Sequence, residues 1–287
     1  MKLVTNNGPL ISKRGYDFIK ATEIIKNAGF DAYDHSMCIG EDEVELFLSD
    51  EYQNKIKHLK EHADKIGLPC LQAHAPFGNI EVLLPAIIRS IEYAAYLGAD
   101  IIVVHPYTDN WNYYENKDKL FEENMKYYRS LISYAKEFGI KIAVENMFGW
   151  DRNTHIHLEN TCSHSEEFVK YVDTLDSEYI TACVDTGHSH LMYEKPEHII
   201  KKLGSRVGAL HIHDNTALDD AHQIPYFGTI NWDNVCKALA EIDYKGHFTF
   251  ESNTFINKYM DDDFIPTAYK YLEQVGRSLI KKIESHR

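Results

Sequence analysis

The chain has 287 residues, 44% of them hydrophobic, 12% aromatic and 26% charged, which supplies a sizeable core and excludes a disordered, collagenous or disulfide-scaffold protein. Thirty basic residues against 44 acidic ones leave a formal charge of −14. Such a surface repels nucleic-acid backbones and anionic membranes unless a local patch or bound cations reverse the field.

The first predicted strand is LVT at 3–5. Ile19, Ile24 and Ile25 then recur at helical spacing up to Gly29, and DAYDHS at 31–36 and PCLQAH at 69–74 read as the next strands. Ile87, Ile91, Ala94 and Ala95 lead to Gly98 in the same way, before DIIVVH at 100–105. IKIAVE at 140–145, ITACVD at 180–185 and VGALHIH at 207–213 follow as strands. Leu239 and Ile242 precede Gly246, HFTFES at 247–252 is the last strand, and a helix is expected over about 265–285. Glycine just past a helical pattern is a C-cap signal.

Short apolar runs rich in Val, Ile, Phe and Ala read as strands buried on both faces. Alternation with helices predicts a parallel α/β architecture. No GxGxxG follows the first strand and no GxxxxGK[ST] occurs, so an open nucleotide-binding sheet is disfavoured. Eight β/α units in this length predict one (β/α)8 barrel domain over 1–287. Cys38, Cys70, Cys162, Cys183 and Cys236 are odd in number and form no CxxC, which indicates neither a disulfide framework nor a thiolate zinc site. MKLVTNNGPLISKRGYDF has no signal-like apolar stretch and no 18 apolar residues run together. The expectation is a cytoplasmic, soluble protein without a membrane span.

Most strands end in a residue that can ligate metal. His74 ends the third, His105 the fourth, Glu145 the fifth and Asp185 the sixth; His211 lies in the seventh and Glu251 ends the eighth. In a barrel these ends converge on the C-terminal mouth. Buried carboxylates without basic partners are costly, so they share protons or surround a cation, and the neighbouring histidines favour the cation. Glu145, Asp185, His211 and Glu251 are the core candidates. His188, Asp220 and His222 lie close by and serve equally well as further ligands or as polar contacts to substrate. Carboxylate and imidazole without thiolate suit Zn or Mn best, with Mg, Co or Fe as alternatives. His213, Asp214 and Asn215 read as supporting residues.

The motifs HAPF at 74–77, VVHP at 103–106, VEN at 144–146, VDTGH at 184–188 and HIHDN at 211–215, with GTINW and YKGHFTFES, resemble the xylose isomerase-like TIM-barrel superfamily. That group joins sugar isomerases and epimerases to zinc apurinic endonucleases. The epimerase branch implies one divalent ion on Glu145, Asp185, His211 and Glu251, the two glutamates acting as acid and base, and His188 touching the sugar. The endonuclease branch implies three zinc ions with His74, His105, His188, Asp220 and His222 added and Glu145 bridging, so the resemblance implies one to three ions.

Three features bear on the choice. TALDD follows HIHDN where a ketose 3-epimerase pattern has an arginine, the loop SMCIGEDEVE is acidic, and Phe77 stands where the DNA-repair branch resembles a tyrosine. Arg152 is the basic residue expected near the mouth, so no phosphate clamp is evident. The leading expectation is a metal-dependent isomerase or epimerase moving a proton next to the carbonyl of a sugar or sugar phosphate. Glu145 and Glu251 are its catalytic candidates, and Phe77 and Trp111 its apolar substrate wall. A zinc-dependent abasic-site endonuclease and a non-catalytic sugar-binding barrel are the alternatives. The expected partner is a small sugar or polyol rather than nucleic acid or membrane; a homo-oligomer stays open. His155 and His157 read as loop polar residues, with a lid as the sharper alternative, and Asp261, Asp262 and Asp263 as caps of the last helix.

Overall fold

Short runs buried on both faces can form only an interior parallel sheet covered by helices. The computed structural model, which describes residues 1–151, 154 and 156–287, has that architecture. The elements in chain order are β1 (Leu3–Asn6), α1 (Gly8–Ser12), α2 (Phe18–Ala28), β2 (Ala32–Ser36), α3 (Val44–Phe47), α4 (Asp50–Ile66) and β3 (Cys70–His74). Next come α5 (Ile80–Leu97), β4 (Ile101–Val104), α6 (Tyr113–Phe138), β5 (Lys141–Glu145), β6 (Phe148–Asp151), β7 (Ile156–Glu159) and α7 (Ser165–Leu175). The chain ends with β8 (Ile180–Asp185), α8 (Thr186–Leu191), α9 (Pro196–Leu203), β9 (Val207–His211), α10 (Trp232–Glu241), β10 (Phe248–Phe250) and α11 (Ile265–Ser285).

Eight parallel strands run in the order β10-β1-β2-β3-β4-β5-β8-β9. The ring closes just past β9, where Ile212 N–H donates to Thr249 O at 2.9 Å and Glu251 N–H donates to Ile212 O at 3.1 Å. The expected single (β/α)8 barrel is therefore present. Among the described residues no helix is long and apolar enough to cross a membrane.

Alternation along each strand separates two packing layers. Ile102, Val104, Ile142, Val144, Val184 and Leu210 join the large core beneath the helices. Ile101, Val103, Ala143, Cys183 and Ala209 form a separate small cluster, the filling of the barrel interior. His105, Glu145, Asp185 and His211 each stand two residues beyond a member of that inner cluster. The period of two therefore brings their side chains off the inner face, one layer higher, at the mouth.

Three details depart from the sequence expectation. Gly29 and Gly98 cap their helices in the left-handed conformation, but Gly246 does not, because α10 ends at Glu241 with Ile242 as its cap. At Gly246 a Cβ would lie 2.7 Å from the Gly208 carbonyl, so the position requires close backbone approach. The segment after Glu145 is not a plain loop: β6 and β7 pair antiparallel, with Phe148 opposite Glu159 and Asp151 opposite Ile156. Asp262 accepts hydrogen bonds from Arg14 and Tyr16, whereas the residue at the N-cap of α11, Phe264, makes no side-chain cap. Arg152 and His155 lie outside the described residues.

Candidate metal centre and active-site pocket

Each donor's position follows from local structure. Asp185 ends β8 and is also the N-cap of α8, where its Oδ1 accepts the His188 N–H at 2.6 Å; the cap fixes the carboxylate and sets His188 on the first turn. Its Oδ2 lies 3.0 Å from His213 Nε2. Gly187 makes this possible, because a Cβ there would fall 1.9 Å from the His213 ring. Asp214 anchors the following loop, accepting from Tyr226 N–H, Ile230 N–H and Trp232 Nε1–H at 2.9, 3.1 and 2.8 Å. That loop carries Asp220 and His222 back over the mouth.

Among the described residues the donors form five groups, each with its ligand atoms within 4.8 Å of one another: Glu145, Asp185, His211 and Glu251; His74, His105 and Glu145; His188, His213, Asp220 and His222; His74, His211 and Glu251; and Glu145, Cys183 and His211. Every metal candidate named from sequence falls in one of them. His213 joins the third as a potential ligand rather than a mere support. Cys183 also comes within the same distance of Glu145 and His211, which its place in a strand interior did not signal.

Hydrogen bonds orient the imidazoles. His74 Nδ1 lies 2.8 Å from Ala75 O, His188 Nδ1 2.9 Å from Asn146 O, and His222 Nδ1 2.9 Å from Glu251 O. A carbonyl can only accept, so each Nδ1 carries a proton and each Nε2 faces the site, the orientation metal-ligating histidines require. His74 Nε2 and His105 Nε2 then meet at 3.1 Å, and His211 Nδ1 lies 2.6 Å from Glu145 Oε1 and 3.5 Å from Glu251 Oε2. Glu145 Oε2 lies 2.9 Å from His105 Nε2 without hydrogen-bond geometry, and Asp220 Oδ1 is buried without a hydrogen-bond partner. Facing imidazole nitrogens and orphaned carboxylate oxygens are the arrangement a divalent cation satisfies, so the residues fit such a group.

The electrostatics agree. Burial works against the charged form of Glu145, but the imidazoles of His211 and His105 outweigh it and hold the carboxyl well below its usual range. Burial likewise opposes charge on His222, yet Asp220 raises it to about 9. Burial prevails at His105, which is lowered, and at His35, packed against Phe18 of α2, which falls to about 3.

Above the donors lies a cavity of about 630 Å³ whose lining includes Glu145, His188, Asp220, His222 and Glu251. Phe77 forms part of its wall, 4.9 Å between ring centroids from His105. Trp111 does not: it is 68% exposed on the β4–α6 loop and stands outside the lining. Further aromatic lining comes from Phe148 and Trp150 of β6, which the sequence reading missed; their signal was the FGW that begins one residue after the VEN motif. His157 of β7 sits against both rings and its Nε2 lies 3.0 Å from Leu218 O, so the β6–β7 hairpin reaches the loop after β9.

Known proteins resemble this chain over parts of its length. It is 29% identical over 164 residues to the uncharacterized protein y4fM of Sinorhizobium fredii, covering 56% of this chain and 50% of that one. It is 30% identical over 115 residues to an inosose dehydratase of Bacillus cereus, covering 34% and 39%. It is 27% identical over 123 residues to a D-psicose 3-epimerase of Enterocloster bolteae, covering 43% and 37%. These matches thus span half or less of the relatives' own lengths. Among solved structures, a D-tagatose 3-epimerase-like protein superposes with a TM-score of 0.76 at 23% identity, covering 99% of both chains. The IOLI protein with a bound zinc atom gives 0.71 at 16% identity, covering 100% of this chain and 99% of that one. At such identities the superpositions establish the fold. The family described as xylose isomerase-like TIM barrel matches residues 22–265, and the chain belongs to it.

Proposed function

We propose that the protein is a divalent-metal-dependent isomerase or epimerase acting on a small sugar or sugar derivative by proton transfer next to a carbonyl. The observation that carries this reading is the meeting of Glu145 and Glu251 on His211, at 2.6 and 3.5 Å, beneath a cavity of sugar size. The likeness to a D-psicose 3-epimerase and an inosose dehydratase, both named for sugar or cyclitol substrates, supports it.

Glu145, Asp185, His211 and Glu251 would hold the ion, Zn or Mn by its donor set, which supplies Lewis acidity to a carbonyl and its neighbouring hydroxyl. The chain's own groups do the rest. One glutamate takes the proton from the carbon and the other, or the same one, returns it through a carboxylate oxygen left free. Phe77 and Phe148 cover the apolar face of the sugar and exclude water.

Incubation of the metal-loaded protein with a panel of aldoses, ketoses and inososes in deuterated water tests this. Deuterium should appear on the carbon next to the carbonyl. No exchange across the panel, together with cleavage of a duplex containing an abasic site, would replace it with the second reading: phosphodiester hydrolysis by two or three ions. That alternative is favoured by one observation, the presence of Glu145 both in the group with His74 and His105 and in the group with Asp185, His211 and Glu251.

A further inference from the structure

The cavity wall carries one lysine or arginine among its described residues, Lys13, on the segment that follows β1 and α1. Its Nζ donates to Asn253 O at 2.8 Å and to Asn253 Oδ1 at 2.7 Å. Both acceptors are neutral, and among the described residues no carboxylate forms an ion pair with Lys13, in a chain whose net charge is −14. Neighbouring cations do have a carboxylate: Arg14, the next residue, and Lys20 both reach Asp262. Burial pushes the Lys13 ammonium below its usual value, so its charge is partly stripped of water without being matched by an anion. An ammonium has three donor hydrogens, and the backbone carbonyl and side-chain oxygen of Asn253 take two, leaving one. Asn253 stands two residues past Glu251, so the tether ties Lys13 to the strand end that carries a candidate catalytic acid.

We propose that Lys13 is a specificity-determining residue that receives an anionic substituent of the substrate, a carboxylate or phosphate carried on the sugar. The inference rests on the sugar reading above and narrows it from neutral sugars to sugar acids or sugar phosphates. Phe77 and Phe148 of the lining are apolar and cannot take this role, and the floor is carboxylate and imidazole. Asn253 holds the ammonium in place without discharging it, which is what a preorganised anion contact requires.

The experiment compares binding of D-glucitol, D-glucitol 6-phosphate and D-gluconate to the metal-loaded protein by calorimetry, at low and high salt, for the natural chain and for Lys13→Met and Lys13→Arg. A charge-assisted hydrogen bond predicts that at least one anionic polyol binds roughly tenfold more tightly than D-glucitol. The preference should shrink with salt, vanish in Lys13→Met and persist in Lys13→Arg. Phosphate or carboxylate as the favoured group identifies the source. A purely structural Lys13 would weaken all three polyols alike. Equal affinities in the natural chain, a preference unchanged in Lys13→Met, or no binding of any polyol would each overturn the proposal. Failure of the sugar-isomerase reading is distinguishable, because it removes deuterium exchange without altering the ratio of these affinities.

Discussion

Glu145 and His211 come from β5 and β9, 66 residues apart, and meet at 2.6 Å with both side chains buried. Neither has an Arg or Lys partner among the described ion pairs. The contact exists because each residue ends a strand two positions beyond an inward-facing small residue, Ala143 and Ala209. A barrel interior thus ends in a layer of charge, and the predictions below follow from that layer.

Glu251→Gln should abolish deuterium exchange, by roughly 100-fold or more, while the fold survives. The side chain is 18% exposed at the mouth and the substitution conserves its shape. Thermal unfolding and exchange measured on the same sample check this; retained exchange would remove Glu251 from the chemistry.

Metal uptake should release protons. In the metal-free chain burial disfavours the His222 imidazolium, but Asp220 overrides burial and holds its pKa near 9. A cation must displace that proton, so affinity should fall as pH drops from 9 toward about 6. The sign for stability without metal is the converse. The raised value contributes fully below the unfolded pKa near 6.5, and the contribution is lost as pH rises through about 9. Calorimetry in buffers of different ionisation enthalpy counts the protons; pH-independent affinity would contradict the assignment.

Asp214→Ala should loosen the loop that delivers Asp220 and His222. It removes the acceptor of Tyr226 N–H, Ile230 N–H and Trp232 Nε1–H and leaves these donors with no partner. A cost of about 2–3 kcal/mol and a fall of several degrees in melting temperature are expected. An unchanged melting temperature would mean that water replaces the carboxylate.

Gly187→Ala should displace His213, since the new Cβ would fall on its ring. The expected result is a lower metal content with the β8 and β9 strands intact by circular dichroism. Full metal content would show that His213 is dispensable.

Much of this site was legible in the sequence because strand ends are periodic objects. Apolar runs bounded by Glu, Asp and His place Glu145, Asp185, His211 and Glu251 on one rim before any coordinates exist. Loop residues are different. Trp111 is expected on the wall but is exposed and outside the lining, while Phe148 and Trp150 occupy it, because β6 and β7 are four-residue, partly exposed strands (FGWD and IHLE) whose alternation is too short to mark a hairpin in the sequence. Asp262 was read as a cap from local sequence, but its partners, Arg14 and Tyr16, lie almost the whole chain away. Lys13 gave no signal either, since its meaning depends on which anions fail to reach it.

The most direct test is elemental analysis of the purified protein after saturation with zinc or manganese and removal of excess ion, with Asp185→Ala and Glu145→Gln alongside. The account requires one to three tightly held ions per chain in the natural protein and fewer in both variants. No retained ion in the natural protein, under either metal, would contradict it.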